Sequence, residues 1–368
     1  MVVVKKKRQS SPSFTQMLRQ HGLKFVLGAV ATGSFAFAFG QEKIQQFVST
    51  GTPASSHCLT QFYNKIPPYL MRESLNKDSY PLCFNGFNVM YSGISKTPLW
   101  VAEALTPERL SQKIPREDSF HEEERVKAAH RATLADYRGS GYDRGHMAPN
   151  ADMPTKEAQF DSFSLANMVP QAPKNNQQIW RELEEATRAI VTKQKQDVYV
   201  VTGPAYTQKK LKKIGNGVMV PNAVYKAIYI PKLGVTGAYY APNDNSLKVN
   251  IVSICYLEEQ LGINLFPGMS EEQKRNTYKL PFKATAVKAN SKIEYSHWDA
   301  ESQCAEDVSS AQISTLQKDF KGNLVSVQQV ESSTPTTASA NEQNTGTQDA
   351  LLKKLLDMVL QFILQLLK

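Results

Sequence analysis

The sequence predicts a mixed α+β domain, rich in strands, with one amphipathic helix set near a glycine-rich turn. Three observations carry this. Phe84–Ser92 alternates around Phe87, Val89 and Tyr91, and Asp197–Pro204 (DVYVVTGP) is a buried-type strand ended by a turn. Ile179, Trp180, Leu183 and Ala186 recur at helical spacing within Asn176–Thr187, which gives that helix an apolar inner face. Between the strands lies Tyr137–Asn150 (YRGSGYDRGHMAPN), where Gly139, Gly141 and Gly145 let the chain bend sharply.

The 368 residues permit two domains on size, or one larger α/β unit. Hydrophobic content of 41% and charged content of 21% describe a globular protein rather than a disordered one. The net charge of +9 is misleading as a sign of a polyanion partner. Lys5, Lys6, Lys7, Arg8, Arg19 and Lys24 fall within residues 1–41, which hold no acid. The remainder carries 37 basic and 34 acidic residues, so any steering of nucleic acid must come from a local basic cleft.

Residues 1–40 have the form of a signal peptide. A basic start precedes the uncharged core Phe25–Phe39, too short for a spanning helix, and Ala36-Phe37-Ala38 offers a small-x-small cleavage site. An uncleaved membrane anchor is the main alternative, because the basic stretch is long. A mitochondrial presequence is a second; the leader is arginine-poor for it, yet acid-free and serine-containing. Export to the periplasm or medium is the preferred reading. Residues 41–83 form an N-terminal extension containing a linker-like Gly51–Ser56 and the helix-blocking Pro67-Pro68. Four cysteines allow three pairings; proximity favours Cys58–Cys83 and Cys255–Cys304.

Pro98–Leu105 reads as a further strand, Glu108–Gln112 as a short turn or helix, and Arg116–Phe120 as a loop. Val220–Pro231 and Leu247–Cys255 supply more strands, and Leu257–Leu261 a short helix ended by Gly262. Lys209, Lys210, Lys212 and Lys213 sit in a loop, as either solvated surface or a phosphate-tracking patch. His121, His130 and His297 have no partner pattern and read as structural or surface groups.

The chemistry concentrates in Asp143-Arg144-Gly145-His146. An imidazole can take a proton from water near neutral pH, and an arginine beside it offers a planar fork for phosphate oxygens. Two further stretches follow it: Ala166-Asn167-Met168-Val169-Pro170-Gln171, then Asn176-Gln177-Gln178-Ile179-Trp180-Arg181-Glu182-Leu183-Glu184. In this order D-R-G-H, A-N-x-x-P-Q and N-Q-x-x-W-x-x-L-E resemble the DNA/RNA non-specific endonucleases, and His130–His146 resembles the endonuclease G branch. The resemblance runs from about Phe84 to Leu280.

That resemblance implies a ββα-metal (His-Me finger) nuclease fold, with a central antiparallel sheet flanked by helices, over residues 84–312. It implies DNA and RNA as substrates, 5′-phosphate products, His146 as general base, and one hydrated Mg²⁺, replaceable by Mn²⁺, on Asn176. The resemblance gives Glu184 the ion's water shell; unless the helix begins after Asn176, two helical turns, about 12 Å at roughly 1.5 Å per residue, keep both from ligating one ion directly, which agrees with that. Arg116 and Arg144 would steady phosphate charge, with a structural ion pair as the alternative for Arg144. Asn167 would orient His146, and Asp143 would fix the turn or the water shell. The competing reading is a catalytically silent nuclease fold serving as an envelope binding module.

Residues 313–349 read as a disordered linker, with Glu331–Asp349 of low complexity. Ala350–Lys368 is an amphipathic helix with a narrow polar stripe, Lys354, Asp357, Gln361, Gln365 and Lys368. Such a helix would lie on a membrane surface, pack on the core, or self-associate, for instance as a homodimer.

Overall fold

A computed structural model describes residues 55–322. The expected leader, the low-complexity stretch 331–349 and the helix 350–368 lie outside the described residues. A seven-stranded sheet forms the centre: β1 (Ser79–Cys83), β2 (Asn88–Ser92), β3 (Thr97–Leu105), β6 (Val198–Ala205), β7 (Ala223–Ile230), β8 (Val235–Pro242) and β9 (Asn250–Val252). Its order is β9-β8-β7-β6-β3-β2-β1, and every neighbouring pair is antiparallel. Strands β4 (Asp143–His146) and β5 (Met168–Gln171) form a separate antiparallel pair beside it.

Both faces of the sheet are covered, which β7 shows residue by residue. Val224, Ile228 and Ile230 enter one core with Trp180, Leu183 and Met147, while Tyr225, Ala227 and Tyr229 enter the other with Phe62, Ile254 and Leu257. Side chains alternate across a strand, so a strand buried on both faces reads as continuously apolar. The first core belongs to the site side. There a π-helical turn, Asn175–Trp180, runs directly into α1 (Arg181–Gln194), whose Leu183, Ala186 and Ile190 are fully buried. A smaller core joins Ala132, Tyr137, Leu165 and Met168 to Ile214, Val218 and Val220.

Several expected boundaries move. The domain starts before residue 84: β1 pairs along its whole length with β2, and Tyr69–Leu70 pairs with Ile263–Asn264. The Cys58–Cys83 disulfide ties the start of this segment to the sheet, and Cys255–Cys304 forms as expected. Ser55, expected within the linker-like stretch, opens a short helix, Ser55–Cys58. The run Leu247–Cys255 is strand only at β9, because Ser253 caps a helix, α2 (Ile254–Leu261), by accepting from Tyr256 N at 2.9 Å. Lys212–Ile214 is a strand rather than loop, paired with Val218–Val220. The disordered linker expected from 313 begins instead as helix α3 (Ser310–Gly322). Ser309 and Gln312 make a reciprocal cap there: Ser309 N donates to Gln312 Oε1 at 2.9 Å and Gln312 N to Ser309 Oγ at 3.3 Å.

Candidate active site

The site is built on β4, β5 and the helix that follows. Asp143 lies opposite Gln171 and His146 opposite Met168 in the β4–β5 pair. Gly145 is required here because a Cβ would collide with the Gln171 side chain lying against the β4 backbone. Gln171 Nε2 in turn donates to Asn175 Oδ1 at 2.6 Å, and Asn175 Nδ2 to the Pro242 carbonyl at 2.8 Å. The glycine of one motif therefore makes room for the glutamine of the second, which fixes the start of the third.

His146, Asn176, Glu184, Asp143, Arg116 and Arg144 all line one cleft of about 750 Å³. Asn167 does not, and its expected contact with the imidazole gives way. Fully buried, it donates from Nδ2 to the Ala148 and Ser162 carbonyls at 2.8 and 2.9 Å, and its Oδ1 accepts from Ala148 N at 2.9 Å. It thus clamps the chain just past His146, and every side-chain polar atom is used on backbone. His121, His130 and His297 stay outside the cleft: His121 stacks on Phe160, His130 meets Tyr80, and His297 meets Thr277.

The His146 ring lies 5.7 Å from Phe120 and 5.1 Å from Phe163, and its Nε2 is buried with no hydrogen-bond partner. Burial pulls its pKa down to about 3; Arg116 and Arg144 push the same way and Asp118 opposes them. The imidazole is therefore neutral at physiological pH.

Across the cleft, Asp143 Oδ2 accepts from Asn176 Nδ2 at 2.9 Å and from Gln177 Nε2 at 2.8 Å. Glu184 makes no hydrogen bond among the described residues; burial raises its pKa to about 7 against the opposing pull of Lys226 and Arg188. Arg116 donates from Nε to Asp118 Oδ1 at 2.6 Å and from Nη1 to Asn150 Oδ1 at 3.3 Å. Among the described residues Arg144 makes no ion pair. Its guanidinium carbon sits 3.9 Å from the centre of the Phe120 ring, a cation–π contact.

Sequence reasoning missed Arg138 and Arg181, which also line the cleft. Four arginines, 116, 138, 144 and 181, line it with Asp118, Asp143 and Glu184, and Arg116 pairs with Asp118, so the cleft offers several guanidinium groups to a phosphate but only a slight excess of positive charge. It also missed a loop after β8. Asn243 Oδ1 accepts from Ala172 N at 2.8 Å, its Nδ2 donates to the Pro170 carbonyl at 2.9 Å, and Asn245 Oδ1 accepts from Lys174 N at 3.0 Å. No local pattern links this loop to a segment 71 residues earlier.

A profile of the DNA/RNA non-specific endonucleases matches residues 69–272. The chain belongs to the DNA/RNA non-specific endonuclease family. Human mitochondrial endonuclease G is 40% identical over 171 residues, 43% of this chain and 55% of that one. A Nostoc nuclease is 33% identical over 213 residues, 53% of this chain and 76% of its own. A solved structure of the EndoG/EndoGI complex superposes with a TM-score of 0.50 at 26% identity, covering 61% of this chain and 97% of that one. The chain thus spans about half the length of the human relative.

These relatives correct one expectation. Export to the periplasm or medium gives way, because the similar endonucleases of human, cow, zebrafish and both yeasts are mitochondrial proteins. A short apolar core after a basic start is common to several targeting signals, so the leader's shape does not discriminate among them.

Members of this family are metal-dependent, and the donor set here fits a hydrated divalent ion. With its Nδ2 on Asp143, Asn176 leaves Oδ1 without a hydrogen bond among the described residues. No group of three His, Cys, Asp or Glu side chains poised for a metal occurs among the described residues. An ion that takes one amide oxygen and keeps most of its waters suits such a site, as magnesium does.

Proposed function

We propose that the chain is a Mg²⁺-dependent, sugar-non-specific endonuclease that hydrolyses DNA and RNA to 5′-phosphate products. The observation that carries this is a neutral, half-buried His146 sharing a cleft with the unengaged oxygens of Asn176 and Glu184. Nε2 of His146 is sealed against the protein, so Nδ1 takes the proton from a water. That water attacks phosphorus as the 3′ oxygen departs. Asn176 Oδ1 would hold the ion and Glu184 its water shell. When bound, such an ion would supply Lewis acidity that offsets charge building up at the phosphate. Arg116 and Arg144 donate to the non-bridging oxygens, their forks aimed by Asp118 and Phe120 respectively. Nothing in these steps requires a base edge or a 2′-hydroxyl, which supports action on both polymers.

The silent binding module loses its motive, since the groups that the chemistry needs are all present around one cleft. The names of the relatives also support a mitochondrial location, with the acid-free leader as presequence. The test is cleavage of a supercoiled plasmid and of an RNA, with Mg²⁺ and with chelator, followed by end analysis. Cleavage of both with Mg²⁺ alone and 5′-phosphate ends supports the reading; cleavage of neither sinks it.

A further inference from the structure

The hairpin Lys212–Ile214/Val218–Val220 is tied to the wall of the cleft. Its Ile214, Val218 and Val220 pack in one cluster with Tyr137, Leu134, Tyr142 and Phe120, and these four also line the cleft. The backbone fixes the same junction: Asn216 N donates to Asp136 Oδ1 at 2.6 Å, and Gly215 packs so closely on Asp136 that no side chain would fit. Arg138, the next residue after Tyr137, is exposed and belongs to the cleft rim. While the inner face of the hairpin is apolar, Lys209, Lys210, Lys212 and Lys213 are exposed and make no ion pair among the described residues.

We propose that Lys209, Lys210, Lys212 and Lys213 form a second nucleic-acid-binding surface that extends the track of Arg138 outward and holds the phosphate backbone of a long substrate beyond the cleaved bond. The inference rests on the nuclease reading above. Four exposed ammonium groups without an ion pair among the described residues fall within five residues, Lys209 and Lys210 just before the hairpin and Lys212 and Lys213 in its first strand, and they complement a polyanion that leaves the cleft on that side. Contacts of this kind carry no sequence information and act through release of counterions. Lysine suits them as a point charge without demanding geometry.

The experiment compares the wild type with the quadruple variant K209Q/K210Q/K212Q/K213Q and its Lys→Arg counterpart. Binding to a 30-base-pair duplex is read by fluorescence anisotropy in chelator across a salt series, and Mg²⁺-dependent cleavage is read on that duplex and on a tetranucleotide. Each lysine engaged contributes about 0.9 to the slope of log K against log salt. The glutamine variant should lose about 2 to 4 from that slope and roughly tenfold in kcat/KM on the duplex. Cleavage of the tetranucleotide should be unchanged, and the arginine variant should behave as wild type. An unchanged slope overturns the proposal, as does an equal loss on both substrates. Loss of binding to phosphatidylserine vesicles with duplex binding intact would assign the patch to a membrane and also overturn it. Absence of cleavage by the wild type would instead sink the nuclease reading, so the two failures are distinct.

Discussion

Asp143 Oδ2 receives the amide hydrogens of Asn176 at 2.9 Å, and this contact decides which atom of that amide faces the cleft. A free asparagine side chain could present either nitrogen or oxygen; only the oxygen can bind a cation. The acid of the D-R-G-H motif is therefore an orienting group for the asparagine 33 residues later.

Substitution of Asp143 should thus behave as a metal-affinity defect. Asp143→Ala is expected to weaken Mn²⁺ binding about 10- to 100-fold, the usual effect of removing a group that orients a ligand, with the fold intact. Mn²⁺ titration followed by electron paramagnetic resonance reads this directly, and raising the metal concentration should restore part of the cleavage rate. Unchanged Mn²⁺ affinity would show that Asp143 merely shapes the turn.

The two perturbed groups give opposite expectations for acid. Burial leaves His146 neutral down to about pH 3, whereas the carboxyl of Glu184 sits at about 7. A raised carboxylate is protonated below its pKa, so activity that needs its charge rises with pH through about 7. The acidic limb of kcat/KM should therefore belong to Glu184 and move to lower pH as Mg²⁺ is increased. Glu184→Gln should cut the rate and flatten this limb; a limb surviving at 6.5 would assign it to His146 instead.

His146 also carries a stability consequence. Its folded pKa lies below the ordinary value of 6.5, so the unfolded chain binds the proton more readily. The stabilisation held by the neutral ring is complete above 6.5 and declines as pH falls toward 3. Thermal unfolding of His146→Phe should depend less on pH across this window than that of the wild type. Equal pH dependence in the two proteins would contradict the burial argument.

Gly145 and Asn243 test how the motif segments are joined. Gly145→Ala forces a methyl into the Gln171 side chain, and overpacking of this kind costs about 1–3 kcal/mol. Asn243→Ala strands the buried backbone groups of Pro170 and Ala172, with a cost of similar order. Both should lower the melting temperature by several degrees and reduce cleavage together. A drop in melting temperature with full cleavage would show that the turn carrying Asn176 is held elsewhere.

Much of the site was legible because its parts are local. The D-R-G-H strand, the asparagine and the glutamate of the helix each sit in a short run whose residue types announce their chemistry, and all reach the cleft. Asn167 was misread in detail, since a buried amide and a ligand-facing amide look alike in sequence. The role of Asn243 was not legible, because its partners are joined to it only by folding. Among the strands, β2, β3, β6 and β7 are mostly apolar, with Glu103 and Lys226 buried within β3 and β7, whereas β8 is interrupted by Gly237 and shows no strand pattern in the sequence. The start of the domain was placed late because β1 contains Pro81, which a paired strand rarely holds; it survives on the sheet edge.

The most direct measurement is the nicking rate of His146→Ala on supercoiled plasmid in Mg²⁺, alongside its melting temperature and Mn²⁺ affinity. Loss of a general base costs about 10²–10⁴-fold, so the rate should fall by that much or more while fold and metal binding persist. A variant that nicks at the wild-type rate, or a wild type that nicks equally well in chelator, would contradict the account.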